Sequence, residues 1–170
     1  SMGGLIAVSS LITRQGDYCG AILTGPALGL PAPPPLGQVL LLRGLSWLVP
    51  TAKAFDIDSS AISRDAAVVE AYLADDLVHH QNIPARTIMV LFDEGGRVLQ
   101  EASVITLPLL LLHGAEDKLT SVEASKTFVE QLGSSEKQIT IYDGVFHELF
   151  NEPERDDIIS TCTTWINARL

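Results

Sequence analysis

The run Leu107-Pro108-Leu109-Leu110-Leu111-Leu112-His113-Gly114-Ala115-Glu116-Asp117 constrains this chain more than any other stretch. A bounded apolar segment of this length reads as a strand buried on both faces, the kind found inside a parallel sheet covered by helices. It stops in a His-Gly turn and then presents two acids. Catalytic and binding groups of open α/β sheets gather beyond the carboxyl ends of the strands, so Glu116 and Asp117 are candidates for chemistry. The plainer reading, in which Asp117 only caps the next helix, stands beside it.

The rest of the chain alternates around this strand. Leu5, Val8, Leu11 and Ile12 share one helical face, and Gly16 suits the end of that helix. Gly20-Ala21-Ile22-Leu23-Thr24-Gly25-Pro26 reads as a short buried strand. Composition then shifts. Pro31-Ala32-Pro33-Pro34-Pro35 is a stiff extended loop, and Leu36–Val49 is a helix apolar on nearly every face, which predicts either deep burial or an apolar surface. Ser63 is the expected cap of a helix reaching Tyr72. Residues 27–82 are therefore expected to form an insertion.

From Pro84 the pattern becomes regular. A helix leads into the leucine run, where neighbours are expected on both edges but too few strands are available. Ser121 or Thr120 caps the next helix, and Gln138–Tyr142 alternates as a strand. The last helix starts at Pro153, with Ile158, Ile159, Cys162, Trp165 and Ile166 as its buried stripe. This order predicts an α/β fold with a parallel sheet.

With 170 residues and 46% hydrophobic content, the chain can bury one substantial core. A formal net charge of −10 without a basic cluster argues against nucleic acid as a partner. Cys19 and Cys162 lack metal-ligand spacing. A disulfide between them stays open, but free buried thiols in a reducing, cytoplasmic setting fit better. His79 and His80 read as solvated loop residues, and no metal or cofactor is expected. The chain opens on Ser1-Met2-Gly3-Gly4 and enters a helix at once, so the expectation is a piece that begins inside a larger gene product.

Three strand-end features carry the chemistry. Ser1-Met2-Gly3-Gly4 looks like the second half of a Gly-x-Ser-x-Gly nucleophile elbow, where small residues make room for a tight turn into a helix. Asp117 follows the leucine run, and His147 follows the next strand. Glu116 and Asp143 are rival acids; Asp117 is preferred because it lies past the Gly turn. His113 is expected to shape that turn through a backbone contact. A serine hydroxyl becomes nucleophilic when a neutral imidazole takes its proton, and a carboxylate on the far ring nitrogen holds the imidazole in the right tautomer. The backbone N–H of Met2 would supply half of an oxyanion hole. Ser1 could instead use its own α-amino group, as in N-terminal-nucleophile hydrolases, although such a nucleophile starts a strand and not a helix. A non-catalytic lipid-binding or interaction piece is a third reading.

The chain resembles the C-terminal portion of α/β-hydrolases of the monoacylglycerol lipase and lysophospholipase group. The resemblance rests on Ser1-Met2-Gly3-Gly4, Ile57-Asp58-Ser59-Ser60 with Ser63-Arg64-Asp65, Leu111–Asp117, and Tyr142-Asp143-Gly144-Val145-Phe146-His147-Glu148-Leu149. It implies a serine esterase with Ser1 as nucleophile, Asp117 as orienting acid and His147 as base. It further implies a lipid ester substrate, a hydrolase core over 1–26 and 83–170, and a cap over 27–82. Peripheral membrane contact through the cap is expected from the apolar Leu36–Val49 helix. Because the resemblance begins at the nucleophile, the other oxyanion donor would lie outside these residues. The 170-residue piece alone is therefore expected to be inactive.

Overall fold

Every residue of the strand Leu109–Gly114 is buried, and its place in the sheet explains why. In the computed structural model, which describes residues 1–169, the elements in chain order are α1 (Met2–Arg14), β1 (Ala21–Thr24), α2 (Leu36–Leu48), β2 (Lys53–Phe55), α3 (Ala66–Ala74), β3 (Ile83–Pro84), α4 (Ala85–Gln100), β4 (Leu109–Gly114), α5 (Val122–Gln131), β5 (Lys137–Tyr142) and α6 (Arg155–Asn167). The main sheet has the order β1-β4-β5 with both pairings parallel. Leu109 to Leu112 face Ala21 to Thr24 on one side and Lys137 to Thr140 on the other. The leucine run thus has a strand on each edge, contrary to the expectation that too few were available. The open edges are those of β1 and β5.

Alternation along β4 builds two cores. Leu109 and Leu111 pack with Leu5, Val8 and Leu11 of α1, Val98 of α4 and Phe128 of α5. Leu110 and Leu112 pack on the opposite face with Ile158 and Trp165 of α6. Full burial of one such leucine stabilises the fold by about 1.5–3 kcal/mol, so the four together anchor both layers. The expected stripe of α6 is narrower than its periodicity implied. Ile158 and Trp165 are buried, whereas Ile159 and Ile166 are exposed. Cys162 is half-buried and Cys19 exposed, both as free thiols, so burial of the pair is corrected.

The segment 27–82 contributes α2, β2 and α3. Of α2 only Ser46 is buried, while Leu36, Leu40, Leu41, Trp47 and Leu48 are exposed. The two alternatives for this helix therefore resolve in favour of an apolar surface. Its tie to the rest of the chain includes an Arg43–Asp93 ion pair at 2.7 Å, which reaches α4. β2 pairs antiparallel with β3, which abuts α4. Two expected caps differ in detail. Ser121 does cap α5, its hydroxyl accepting the N–H of Ala124. Asp65, and not Ser63, caps α3 by accepting the N–H of Ala67; the Ser63 hydroxyl instead donates to the carbonyl of Asn151.

Candidate active site

The turns that follow β1, β4 and β5 meet the start of α1 at the carboxyl end of the sheet. Asp117 sits in the turn after β4, its N–H donating to the carbonyl of Gly114 at 3.2 Å. Its side chain is fully buried. Oδ1 accepts the backbone N–H groups of Leu119 (2.7 Å) and Thr120 (3.0 Å). Oδ2 accepts from the Thr120 hydroxyl (2.7 Å), His113 Nε2 (3.0 Å) and His147 Nδ1 (2.7 Å). Burial opposes ionisation of this carboxyl, but hydrogen bonds from His113 and His147, the attraction of His147 and the Thr120 hydroxyl outweigh it. Asp117 is therefore held well below the usual carboxylate range.

His147 lies in the loop between β5 and α6, with its ring largely buried. Because Nδ1 donates to Asp117, the neutral ring carries its acceptor on Nε2. That is the tautomer a general base needs. The ring lines a cavity of about 320 Å³ together with Ser1, Thr24, Ile57, Ile62 and Tyr72, among others.

Ser1 stands immediately before α1, at the position the sequence reading assigns to a nucleophile. Its carbonyl accepts the N–H of Leu5 (3.2 Å) and of Ala27 (3.0 Å), pinning the helix start to the turn after β1. The steric need for a small residue falls on Gly4, where a Cβ would come within 2.8 Å of Pro26 Cβ; around Gly3 the space is open. Ser1 and His147 share the cavity, but the hydrogen bonds of the described residues do not include one between the Ser1 hydroxyl and the ring. Met2 is the first residue of α1, where a backbone N–H has no intrahelical acceptor.

The rival acids fare differently. Glu116 and Asp143 are both exposed, and neither hydrogen-bonds His147 among the described residues. His79 and His80 are exposed as expected. His113 is a correction: its ring is fully buried and acts through side-chain atoms, Nε2 on Asp117 and Nδ1 on the Ser125 hydroxyl at 2.9 Å. Thr120, which the sequence offers only as an alternative helix cap, and Ser125, which no local pattern marks, complete this buried hydrogen-bonded set. A signal was present in the alternation of β4, which puts His113 on the face of Leu109 and Leu111, toward α5. The helix after Ser1 and the parallel sheet both differ from the antiparallel layers of N-terminal-nucleophile hydrolases.

The chain and its parallel sheet have counterparts among known proteins. Residues 1–154 match the family described as serine aminopeptidase, S33. The chain belongs to this family. It is 35% identical over 170 residues to a monoacylglycerol lipase of Mycolicibacterium smegmatis, covering all of the chain and 61% of the relative. It is 30% identical over 173 residues to a monoglyceride lipase of Rattus norvegicus, covering all of the chain and 57% of the relative. The chain thus spans about three-fifths of the length of these curated relatives. A crystal structure of a Paleococcus ferrophilus monoacylglycerol lipase superposes on the whole chain with a TM-score of 0.90 at 29% identity, and 66% of that protein is covered. The S33 chain described here therefore has the α/β-hydrolase fold.

Proposed function

We propose that the protein carrying this chain is a serine hydrolase that cleaves monoacylglycerol or lysophospholipid esters through an acyl-enzyme. The observation that carries the reading is the 2.7 Å bond from His147 Nδ1 to the buried Asp117, beside a cavity that Ser1 also lines. The names of the relatives support the substrate class. In the first half-reaction His147 Nε2 takes the proton of the Ser1 hydroxyl as Oγ attacks the ester carbonyl. The imidazolium that forms is stabilised by the Asp117 carboxylate, and the Met2 N–H donates to the oxyanion. His147 then gives its proton to the departing glycerol oxygen. In the second half a water molecule attacks the acyl-enzyme, again with His147 as base, and releases the fatty acid.

Residues 1–26 and 83–170 serve as core in this reading, and 27–82 as a cap over the acyl chain. The exposed leucines of α2 bring that cap to a lipid surface. The test is labelling of the full-length protein with a fluorophosphonate, followed by turnover of a monoacylglycerol. Wild type should label at Ser1 and turn over, while Ser1→Ala and His147→Ala should do neither. Absence of labelling in a folded wild-type protein would replace this reading with lipid binding without chemistry.

A further inference from the structure

Beyond the cap that Asp65 gives α3, the strip Ile62-Ser63-Arg64 makes a dense set of contacts with the loop that carries His147. The N–H of Glu148 donates to the carbonyl of Ile62 at 2.8 Å. The Ser63 hydroxyl donates to the carbonyl of Asn151 at 2.8 Å. Arg64 then grips Glu152 twice, through its backbone N–H on Oε1 at 2.6 Å and through Nε on Oε2 at 2.5 Å, and a further guanidinium nitrogen donates to Glu154. The Glu152 side chain is completely buried, whereas that of Arg64 is one-third exposed. Arg64 also lies over the turn before the histidine: a Cβ on Gly144 would stand 3.7 Å from Nη1. The chain after His147 is therefore held by one residue from the 27–82 segment, whose guanidinium also lies near the turn before the histidine.

A surface ion pair would contribute little. A buried carboxylate is different, because its charge must be met by donors in fixed positions: here the Arg64 backbone N–H meets one oxygen and its guanidinium the other, while the rest of the planar fork is held by Glu154. Such a clamp has a narrow geometric tolerance. His147 must in turn keep Nδ1 on Asp117 and Nε2 toward the serine, and a small misplacement of a catalytic group costs far more in rate than in binding. Ile62 lines the cavity beside His147, so the same strip of chain forms part of the pocket wall.

We infer that Arg64 and Glu152 are positioning residues for His147, tying the placement of the general base to the segment over residues 57–65. The inference rests on the ester-hydrolase reading above. The experiment uses the full-length protein with a p-nitrophenyl fatty-acyl ester, measuring the acylation burst per serine titrated by fluorophosphonate, together with KM and thermal unfolding. In Arg64→Ala the acylation rate per titrated site should fall at least tenfold, with KM within threefold of wild type. Arg64→Lys, which keeps the charge and the backbone donor but loses the fork, should recover part of the rate. Arg64→Ala/Glu152→Gln should be no slower than Arg64→Ala alone, since the pair acts as one unit. Ser63→Ala, a milder cut in the same strip, should slow acylation less than Arg64→Ala but measurably.

Rates per titrated site within twofold of wild type in Arg64→Ala, Arg64→Lys and Ser63→Ala, with only unfolding temperature lowered, would reduce the clamp to a stabilising contact and overturn the inference. A loss carried wholly by KM would assign Arg64 to substrate binding and overturn it equally. A folded wild type that neither labels nor turns over would instead bring down the hydrolase reading itself, and this inference with it.

Discussion

Five hydrogen bonds converge on the Asp117 carboxylate, two from backbone and three from side chains, and this leaves it almost no freedom to turn. The arrangement favours the charged form so strongly that the acid is ionised throughout the pH range in which His147 can act as a base. Asp117→Asn would keep the shape but present an N–H₂ or a neutral carbonyl to His147 Nδ1, and so lose control of the tautomer. In the full-length protein kcat should fall by about 10⁴-fold, the size of that loss in a Ser-His-Asp triad, with correct folding checked by circular dichroism. Stability should fall as well, by about 1–3 kcal/mol at neutral pH, because hydrogen bonds to a charged group are lost. The folded-state value of this acid is depressed, so its contribution is fully present above the unfolded value near 4 and is lost as pH drops below it. Urea titrations from pH 6 down to 2 should show a shallower acid limb in Asp117→Asn than in wild type. At this scale the sequence pointed to the acid and the histidine that the structure brings within hydrogen-bond distance. Asp117 could be preferred over Glu116 because it lies past the Gly turn, and His147 because it follows a strand. His113 was misjudged because a histidine beside a glycine invites a backbone role. Its true partner, Ser125, is contributed by a helix packed across the strand, a tertiary contact that no local pattern states.

At the scale of elements, the site depends on how closely the turn after β4 passes the loop after β5. The N–H of Ala115 donates to the carbonyl of Tyr142 at 2.9 Å, and that of Glu116 to the carbonyl of Val145 at 3.0 Å. Gly114 sits at the crossing, where a Cβ would come within 2.3 Å of the carbonyl oxygens of both Val145 and Phe146. These are backbone atoms and cannot swing aside. Gly114→Ala should therefore force the two turns apart, costing about 2–3 kcal/mol by overpacking. It should also lower the rate per titrated serine, because those turns carry Asp117 and His147. Gly96→Ala is the matched control: it lies within α4 with open space around it, and should stabilise the protein by about 0.5–1 kcal/mol in the same denaturant titration. Paired glycines disfavour a helix, yet α4 runs through Gly95 and Gly96. Gly95 explains why one of them is small, since its Cβ would lie 3.1 Å from the carbonyl of Leu28. The alternation of strands and helices was readable because buried parallel strands are almost purely apolar. The width of each buried face was not, as Ile159 and Ile166 show. Periodicity marks which side of α6 could be buried, whereas the neighbouring elements decide how much of it is.

For the molecule as a whole, the salient property is a surface divided between charge and grease. The net charge is −10, yet α2 leaves Leu40 69% and Trp47 79% exposed, with Leu77, later in the same 27–82 segment, at 95%. Among the described residues no helix is long and apolar enough to cross a membrane, so this surface could meet lipid only by lying on it. Each large side chain that moves from water into the acyl boundary contributes about 1.5–3 kcal/mol when fully buried, and three of them contribute several decades of partitioning. Charge acts against contact with anionic lipid, at distances within a Debye length of about 10 Å at 0.1 M salt. The full-length protein should therefore float with phosphatidylcholine vesicles more strongly than with phosphatidylglycerol vesicles at low salt, and the gap should narrow as salt is added. Leu40→Ser/Leu41→Ser/Trp47→Ser should lower the vesicle partition constant at least tenfold. Its turnover of a water-soluble short-chain ester should stay near wild type, because none of the three residues lines the cavity beside His147. Equal flotation of wild type and the triple variant would show that α2 does not carry the contact. Stronger binding to the anionic vesicles would mean that a local charge pattern, and not exposed leucine, directs the protein to lipid.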